Sequence, residues 1–361
     1  MFPYYTSKNL FFAELIDKNY HLPINSYIPL AFGCLFLIWL LAGLILKNKL
    51  FPYLTVLIVV LSPWMYYLTM ALSYYIYLLF LTLIIINGLL LILAGKQNLG
   101  KIMLIIGSTL ALYSSVIFWI LLPLSFTALV GFRIIIFKTL KLSIIILFVL
   151  FLPLLFLANK NRVGLKNSLS REVIIFSDPG LMNTINRYQG AAGKNSYKTL
   201  AKISENKYLF STEYTFQKYL TQMVPETYFT PKYKLLGFSF SPPIFLGFLI
   251  PLIYGLYLTL KKEGLRKLLL ISTILTIPSI MANDLVAINR LVLFSPVVFI
   301  VIAYGLTKLY QNRKNNAAKS FLVLSLLLIL FQLFVTIDDI RVRESKRLEL
   351  TYGNKYELFE P

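Results

Sequence analysis

The chain has 361 residues, 58% of them apolar and only 14% charged, with a mean hydropathy of +0.74. Soluble domains average about 45–50% apolar and 25% charged residues, so a water-soluble enzyme, a disordered chain and a collagen are all excluded. The single cysteine, Cys34, sits in an apolar run and rules out a disulfide-stapled secreted domain. The composition is that of a polytopic membrane protein.

In chain order, residues 1–27 mix Lys8, Glu14, Asp17, Lys18 and His21 with aromatics. They lack the uninterrupted apolar segment of a signal peptide. Ten spans are predicted, at roughly 28–46, 51–70, 73–94, 102–116, 117–132, 140–157, 244–260, 267–282, 291–307 and 320–337. About 20 apolar residues suffice to cross the hydrocarbon. No charge interrupts the chain between Lys101 and Arg133, so 102–132 reads either as a pair of spans or as one long segment. These spans divide the chain into an N-terminal segment 1–27, a membrane bundle 28–157, a large loop 158–243, a second bundle 244–337 and a tail 338–361.

The net charge of +20 could point to nucleic acid, but its placement argues for topology. Lys47, Lys49, Lys96, Lys101, Arg133, Lys138, Lys141, Lys261, Lys262, Arg266, Lys267, Lys308, Arg313, Lys314 and Lys319 all fall in alternate connections. These 15 basic residues face one acid, Glu263. By the positive-inside rule that side is cytoplasmic, and the excess is attracted to anionic lipid headgroups. The 86-residue loop 158–243 and both tails are then extracytoplasmic. Within the loop, Arg171 to Phe176 reads as a short strand stopped by the Ser177-Asp178-Pro179-Gly180 turn. Leu181–Tyr188 and Tyr197–Tyr219 read as helical or re-entrant segments.

No Walker A, metal-ligand spacing, Gly-x-Ser-x-Gly or Rossmann fingerprint is present, and His21 is the only histidine. No charge lies deep in a span, leaving a proton relay without a carrier. What remains is a polar, aromatic-rich face above an apolar bundle, with basic residues at its rim. That suits a lipid-linked phosphate, whose oxygens Arg and Lys would hold. Three stretches stand out. In Leu61–Thr69, Pro63 is predicted to kink the second span and Trp64 to lie at headgroup depth, where an aromatic belt is the plainer reading. In Asn283–Arg290, Arg290 enters the membrane edge, either as a phosphate ligand or as a snorkelling anchor paired to Asp284. Asp178, before Pro-Gly, is either a site residue or an ordinary turn former.

In this order the three pieces resemble the GT-C superfamily of integral-membrane glycosyltransferases, in particular the bacterial branch of protein mannosyltransferases and aminoarabinose transferases. The resemblance rests on Ser62-Pro63-Trp64 followed by Tyr74-Tyr75-Ile76-Tyr77, on Phe176-Ser177-Asp178-Pro179, on Tyr219 to Phe229 ahead of Pro242-Pro243, on Arg290 before Ala303-Tyr304-Gly305-Leu306, and on Tyr352 to Tyr356. It covers roughly residues 50–355. It implies an all-α polytopic fold in the bacterial cytoplasmic membrane with one large, mixed outer loop. It also implies transfer of a sugar from a polyprenyl-phosphate carrier to a protein, lipid or glycan acceptor, with no nucleic-acid partner.

The family's general base is a carboxylate in the first outer loop. The chain is expected to lack the first span and that loop, leaving Glu14 and Asp17, three residues apart, as the available carboxylates. They otherwise read as part of a solvated amphipathic segment. Arg290 is the first candidate to stabilise the leaving phosphate, with Asp284, Arg171, Asp178 and Trp64 around the substrate and Lys160 and Arg162 as alternative cations. Mg2+ or Mn2+ would share that role, although Glu14 or Asp17 alone would coordinate it poorly. The competing readings are an O-antigen ligase or polymerase-like enzyme, a lipid-linked oligosaccharide transporter and a non-catalytic scaffold. The ligase reading asks for a loop histidine that is absent, and the transporter for a polar cavity within the spans.

Overall fold

A computed structural model gives the fold; it describes residues 24–46, 48–65, 74–132, 134, 137–160, 183, 186–187, 207–230, 242–281 and 288–338. The regular structure of these residues is helical throughout. The first half comprises α1 (Ile24–Ile45), α2 (Leu50–Leu61), α3 (Tyr74–Leu93), α4 (Gln97–Ser114), α5 (Ile117–Gly131) and α6 (Phe137–Lys160). The large loop contributes α7 (Lys207–Met223) and α8 (Glu226–Phe229). The second half begins with a 3-10 turn, Leu246–Phe248, leading into α9 (Leu249–Lys261) and α10 (Glu263–Ser272). A 3-10 turn at Thr273–Thr276 precedes α11 (Ile277–Ile280) and α12 (Ile288–Leu291). A last 3-10 turn, Val292–Phe294, opens α13 (Ser295–Gln311), and α14 (Asn316–Asp338) follows.

Local chemistry sets the ends of these helices. Ser62 precedes a proline and takes an extended conformation, φ −76° and ψ 122°, which stops α2. The expected kink at Pro63 is therefore a helix end. Gly95, at φ +87°, turns the chain after α3, and Lys96 N–H donates to Leu91 O at 2.9 Å across the turn. Ser115 is extended, at φ −154° and ψ 138°, which divides 102–132 into two helices. Its hydroxyl accepts from Ile117 N–H at 3.2 Å as α5 begins. Asn315 Oδ1 accepts from Ala317 N–H at 2.9 Å at the start of α14.

Among the described residues, five helical segments are long and apolar enough to cross a membrane: Ile28–Ile45, Tyr75–Leu93, Thr139–Phe156, Val292–Gln311 and Asn316–Ile337. The other expected spans are shorter, more polar or broken. The 12 residues of α2 rise only about 18 Å against a core of about 30 Å. The expected span at 267–282 is divided between α10, the turn at Thr273–Thr276 and α11. Among the described residues, five of the ten expected spans are therefore of full length. The strand expected at 171–176 lies outside the described residues.

α13 is the centre of the bundle and α14 its margin, with 72% of the first span's window buried against 17% of the second's. α13 packs on α9, α14 and α2, while α3 packs on α1 and α4. The contact of α2 with α13 and that of α3 with Val292–Phe294 join the halves. Two of these interfaces bring backbone against backbone. A Cβ on Gly88 would lie 2.8 Å from Leu104 N and 2.9 Å from Gly100 O, and one on Gly100 only 2.6 Å from Gly88 O. Likewise, a Cβ on Gly255 would meet Val301 O and one on Gly305 would meet Pro251 O.

One polar clasp lies inside the bundle. Asn87 is buried in α3, and its Nδ2 donates to Leu37 O of α1 at 3.0 Å and to Leu83 O at 2.8 Å. With the Cys34 thiol 3.8 Å from Ile76 O, this shows α1 and α3 running in the same direction, so their following turns, with Lys49 and Lys96, share one end. Outward, Phe32, Phe36, Phe156, Phe331 and Phe334 are all exposed. A surface of that kind is stable in hydrocarbon.

Gly88→Leu and Gly305→Leu are each expected to lower stability by at least about 1–3 kcal/mol, because backbone rather than a movable side chain stands in the way. Thermal unfolding and size exclusion in detergent would show earlier melting and aggregation, whereas Gly131→Leu, with nothing within 4 Å of its added Cβ, should behave as the parent.

Candidate functional site at the loop end of the bundle

Three of the sequence pieces meet in one hydrogen-bonded knot. Because Ser62 ends α2 in an extended conformation, its hydroxyl and the Trp64 N–H turn toward the same acceptor. Ser62 Oγ donates to Pro243 O at 2.8 Å and Trp64 N–H to the same oxygen at 3.1 Å. The next amide, Ile244 N–H, donates to Tyr228 O at 2.9 Å. Tyr228 belongs to α8, and its hydroxyl donates to Gln222 O at 2.9 Å, while Thr227 Oγ1 donates to Thr221 O at 2.6 Å. The Trp64 and Tyr228 rings lie 6.0 Å apart, tilted by 48°. The end of α2, the start of the second half and the end of the large loop are thereby locked together.

Trp64 is 0% exposed, so its ring packs inside this knot and does not face outward as an aromatic-belt residue would. Its Nε1 has no partner among the described residues. Arg290 lies half-buried in α12, donating from Nη1 to Pro278 O of α11 at 3.4 Å and making further contacts. Glu14, Asp17, His21, Arg162, Arg171, Asp178 and Asp284 lie outside the described residues, and the Lys160 side chain is likewise not described.

The residues that sequence reading did not single out are on α7. This helix packs on α11 and α8, so α11 carries both α7 and the Arg290 bond. The face that α7 turns inward is polar. Ser211 and Gln222 are 0% exposed and Lys218 only 1%, with the Lys218 ammonium 4.6 Å from the Tyr214 ring centre. The Ser211 hydroxyl and both polar atoms of the Gln222 amide have no partner among the described residues. These positions are seven and four residues apart, one side of an α-helix. Ser279 of α11 is buried as well.

A buried ammonium, an amide and a half-buried guanidinium gathered around one short helix supply donors suited to an anion such as a phosphate. Among the described residues no carboxylate shares the buried face of α7; Glu213 and Glu226 are exposed. Nor does any group of three or more His, Cys, Asp or Glu gather to hold a metal ion among them. The donor set present is cationic, and no step is assigned to Mg2+ or Mn2+.

Burial pushes the Tyr228 hydroxyl above the ordinary tyrosine range, so it stays a neutral donor to Gln222 O. The linkage sign follows from a raised pKa. This contribution is complete below the unfolded value of about 10 and is lost as pH rises from there through the folded value. Tyr228→Phe should therefore cost about 1 kcal/mol at neutral pH and reduce the fall in stability in the alkaline range. Melting curves in detergent across pH would show both effects. Trp64→Ala should cost more, about 3–5 kcal/mol.

No family model, curated protein or solved structure matches the chain.

Proposed function

We propose that the protein is a membrane glycosyltransferase of the GT-C type, moving a sugar from a polyprenyl-phosphate donor to an acceptor on the extracytoplasmic face. The observation that carries the reading is the convergence on α11 of Arg290 and of the inward polar face of α7 with Lys218 and Gln222, at the loop end of a bundle with apolar flanks. An isoprenoid tail belongs against those flanks, and its phosphate beside those cations. The charge asymmetry of the connections supports a cytoplasmic position for the opposite end and, in a bacterium, an extracytoplasmic loop. On this reading the shorter helices complete up to ten membrane passages by packing inside the bundle.

The chemistry is an inverting displacement. A carboxylate, Glu14 or Asp17, takes the proton of the acceptor hydroxyl as its oxygen bonds to the anomeric carbon. The bond from that carbon to the phosphate oxygen breaks, and the leaving phosphate keeps the electron pair. Arg290, with Lys218, lowers the barrier by stabilising that growing charge, while Asp284, Arg171 and Asp178 belong to the surrounding substrate surface. Trp64 acts through the knot that positions α8 and hence the end of α7.

Arg290→Ala should lower release of polyprenyl phosphate from a polyprenyl-phosphate sugar by about 10²-fold or more, with Arg290→Lys retaining part of the activity. The assay uses the purified full chain in proteoliposomes with hexose- and pentose-loaded donors. Undiminished turnover in a folded Arg290→Ala protein would sink the assignment.

A further inference from the structure

Basic turns from both halves of the chain gather at one end of the bundle. α2 ends in the knot at Ser62, so Lys49, just ahead of its first turn, lies at the opposite end, where Lys96 also falls. α9 starts from the same knot and runs toward the α13–α14 turn. Gly247 backs onto Ser325 and Ile329, well inside α14, with an added Cβ 2.6 Å from Ser325 O. Gly255 backs onto Gly305, nearer the turn, and Asn312 of the turn itself donates from Nδ2 to the Tyr254 hydroxyl at 3.2 Å. From the Gly255–Gly305 contact the two helices continue by the same number of residues to Lys261 and Gln311. Exposed Lys261 and Lys262 are therefore level with exposed Arg313 and Lys314. Exposed Arg266 stands one helical turn beyond, its N–H bonded to Lys262 O at 2.9 Å. Among the described residues the one acid at this end is Glu263, and its carboxylate lies 2.6 Å from Lys267 Nζ.

An apolar stripe leads into these cations. Ile253, Tyr257 and Leu260 are 54%, 52% and 48% exposed and lie on one face of α9, at spacings of four and three residues. No charged residue occurs from Leu249 to Leu260, so the face carries no charge before Lys261. The Lys261 side chain lies over the end of the stripe, with Nζ 4.2 Å from the centre of the Tyr257 ring. In the neighbouring turn the Arg313 guanidinium stands over Tyr310 at 4.3 Å. A ring face attracts such a charge but offers no carboxylate to neutralise it, so each cation still attracts a phosphate.

We propose that this end of α9 is a binding site for an anionic glycerophospholipid. The acyl chain runs along Ile253, Tyr257 and Leu260, and the phosphate sits among Lys261, Lys262 and Arg266, with Arg313 and Lys314 alongside. A soluble phosphate would meet the same cations but has no use for the stripe beneath them. A zwitterionic lipid would use the stripe, but its own ammonium offsets the attraction of its phosphate. An anionic headgroup at such a surface gains about fivefold in affinity for each cation it meets. The site lies at the end away from the knot, so it is separate from the convergence on α11 and does not rest on sugar transfer.

The test uses the full-length protein in phosphatidylcholine vesicles carrying a trace of phosphatidylglycerol or phosphatidylcholine with a diazirine in one acyl chain. After irradiation, mass spectrometry reads the label on Ile253, Tyr257 and Leu260. The phosphatidylglycerol probe should label them about fivefold more than the phosphatidylcholine probe, or better. Lys261→Gln/Lys262→Gln/Arg266→Gln should bring the two probes level, whereas the charge-conserving Lys261→Arg/Lys262→Arg/Arg266→Lys should keep the preference. Lys49→Gln/Lys96→Gln, which removes charge from the same end but from other turns, should keep it too. The replaced side chains are all exposed, so melting in detergent should match the parent's. Equal labelling by the two probes in the parent would make the stripe an ordinary lipid contact. An equal fall in preference in both neutralised variants would mean a diffuse surface potential. Displacement of the phosphatidylglycerol label by glycerol 1-phosphate would mean a site for a soluble anion. Each of these three results overturns the proposal.

Discussion

Apolar helices in hydrocarbon gain little by burying their side chains against one another, because lipid tails are as apolar as leucine. What distinguishes the right neighbour is how closely the backbones approach and which polar groups bridge them. The Gly88–Gly100 contact of α3 with α4 and the Gly255–Gly305 contact of α9 with α13 have no room for even a methyl group. Dispersion accumulates over many atoms at that separation and falls off steeply with distance. The Asn87 amide adds direction by reaching the Leu37 carbonyl of the neighbouring helix. Everything at the loop end is placed by the helices these contacts fix. α13, central in the bundle, packs against α2, whose last turn leads into Ser62.

The Pro243 carbonyl carries that placement out of the bundle. It accepts from Ser62 and from Trp64, and the following amide passes the connection to Tyr228 and on to Gln222. A proline carbonyl suits this role, since no N–H on the same residue needs a partner of its own. The burial of Trp64 follows. Its ring fills the space beside Tyr228, and its energetic contribution is to packing between parts of the chain far apart in sequence. The inward polar face of α7 is thus held over α11 through the Gln222 backbone carbonyl, which leaves the Gln222 side-chain amide without a partner among the described residues.

Much of the helical order was legible because long apolar runs and basic turns leave few alternatives; α1, α3, α6, α13 and α14 fall close to their expected bounds. The pieces Ser62-Pro63-Trp64, Tyr219 to Phe229 and Pro242-Pro243 were visible as text, but their joining was not, since hydrogen bonds across that separation leave no local periodicity. The division of 102–132 was one of two readings, and Ser115 decides it without a proline or glycine, whereas the tightening of Thr273–Thr276 to a 3-10 turn inside an apolar stretch was missed. The periodicity of α7 announces two faces but cannot say which one turns inward. That depends on what packs against the helix, so the inward turn of Lys218 and Gln222 had no local signal, and Asn87 had none because a lone amide in a span has no motif.

The knot also has a temporal side. Ser62 and the Pro243 carbonyl it bonds are 181 positions apart. At translation rates of about 5–20 residues per second, roughly 9–36 s separate their emergence. During that interval the nascent first half must shelter an indole with nothing yet to pack against and hold a seryl hydroxyl without its acceptor. A waiting intermediate of this sort is best kept in the lipid or beside the insertion machinery. The acceptor emerges ahead of every helix of the second half, so the loop end can be joined before the second bundle is complete.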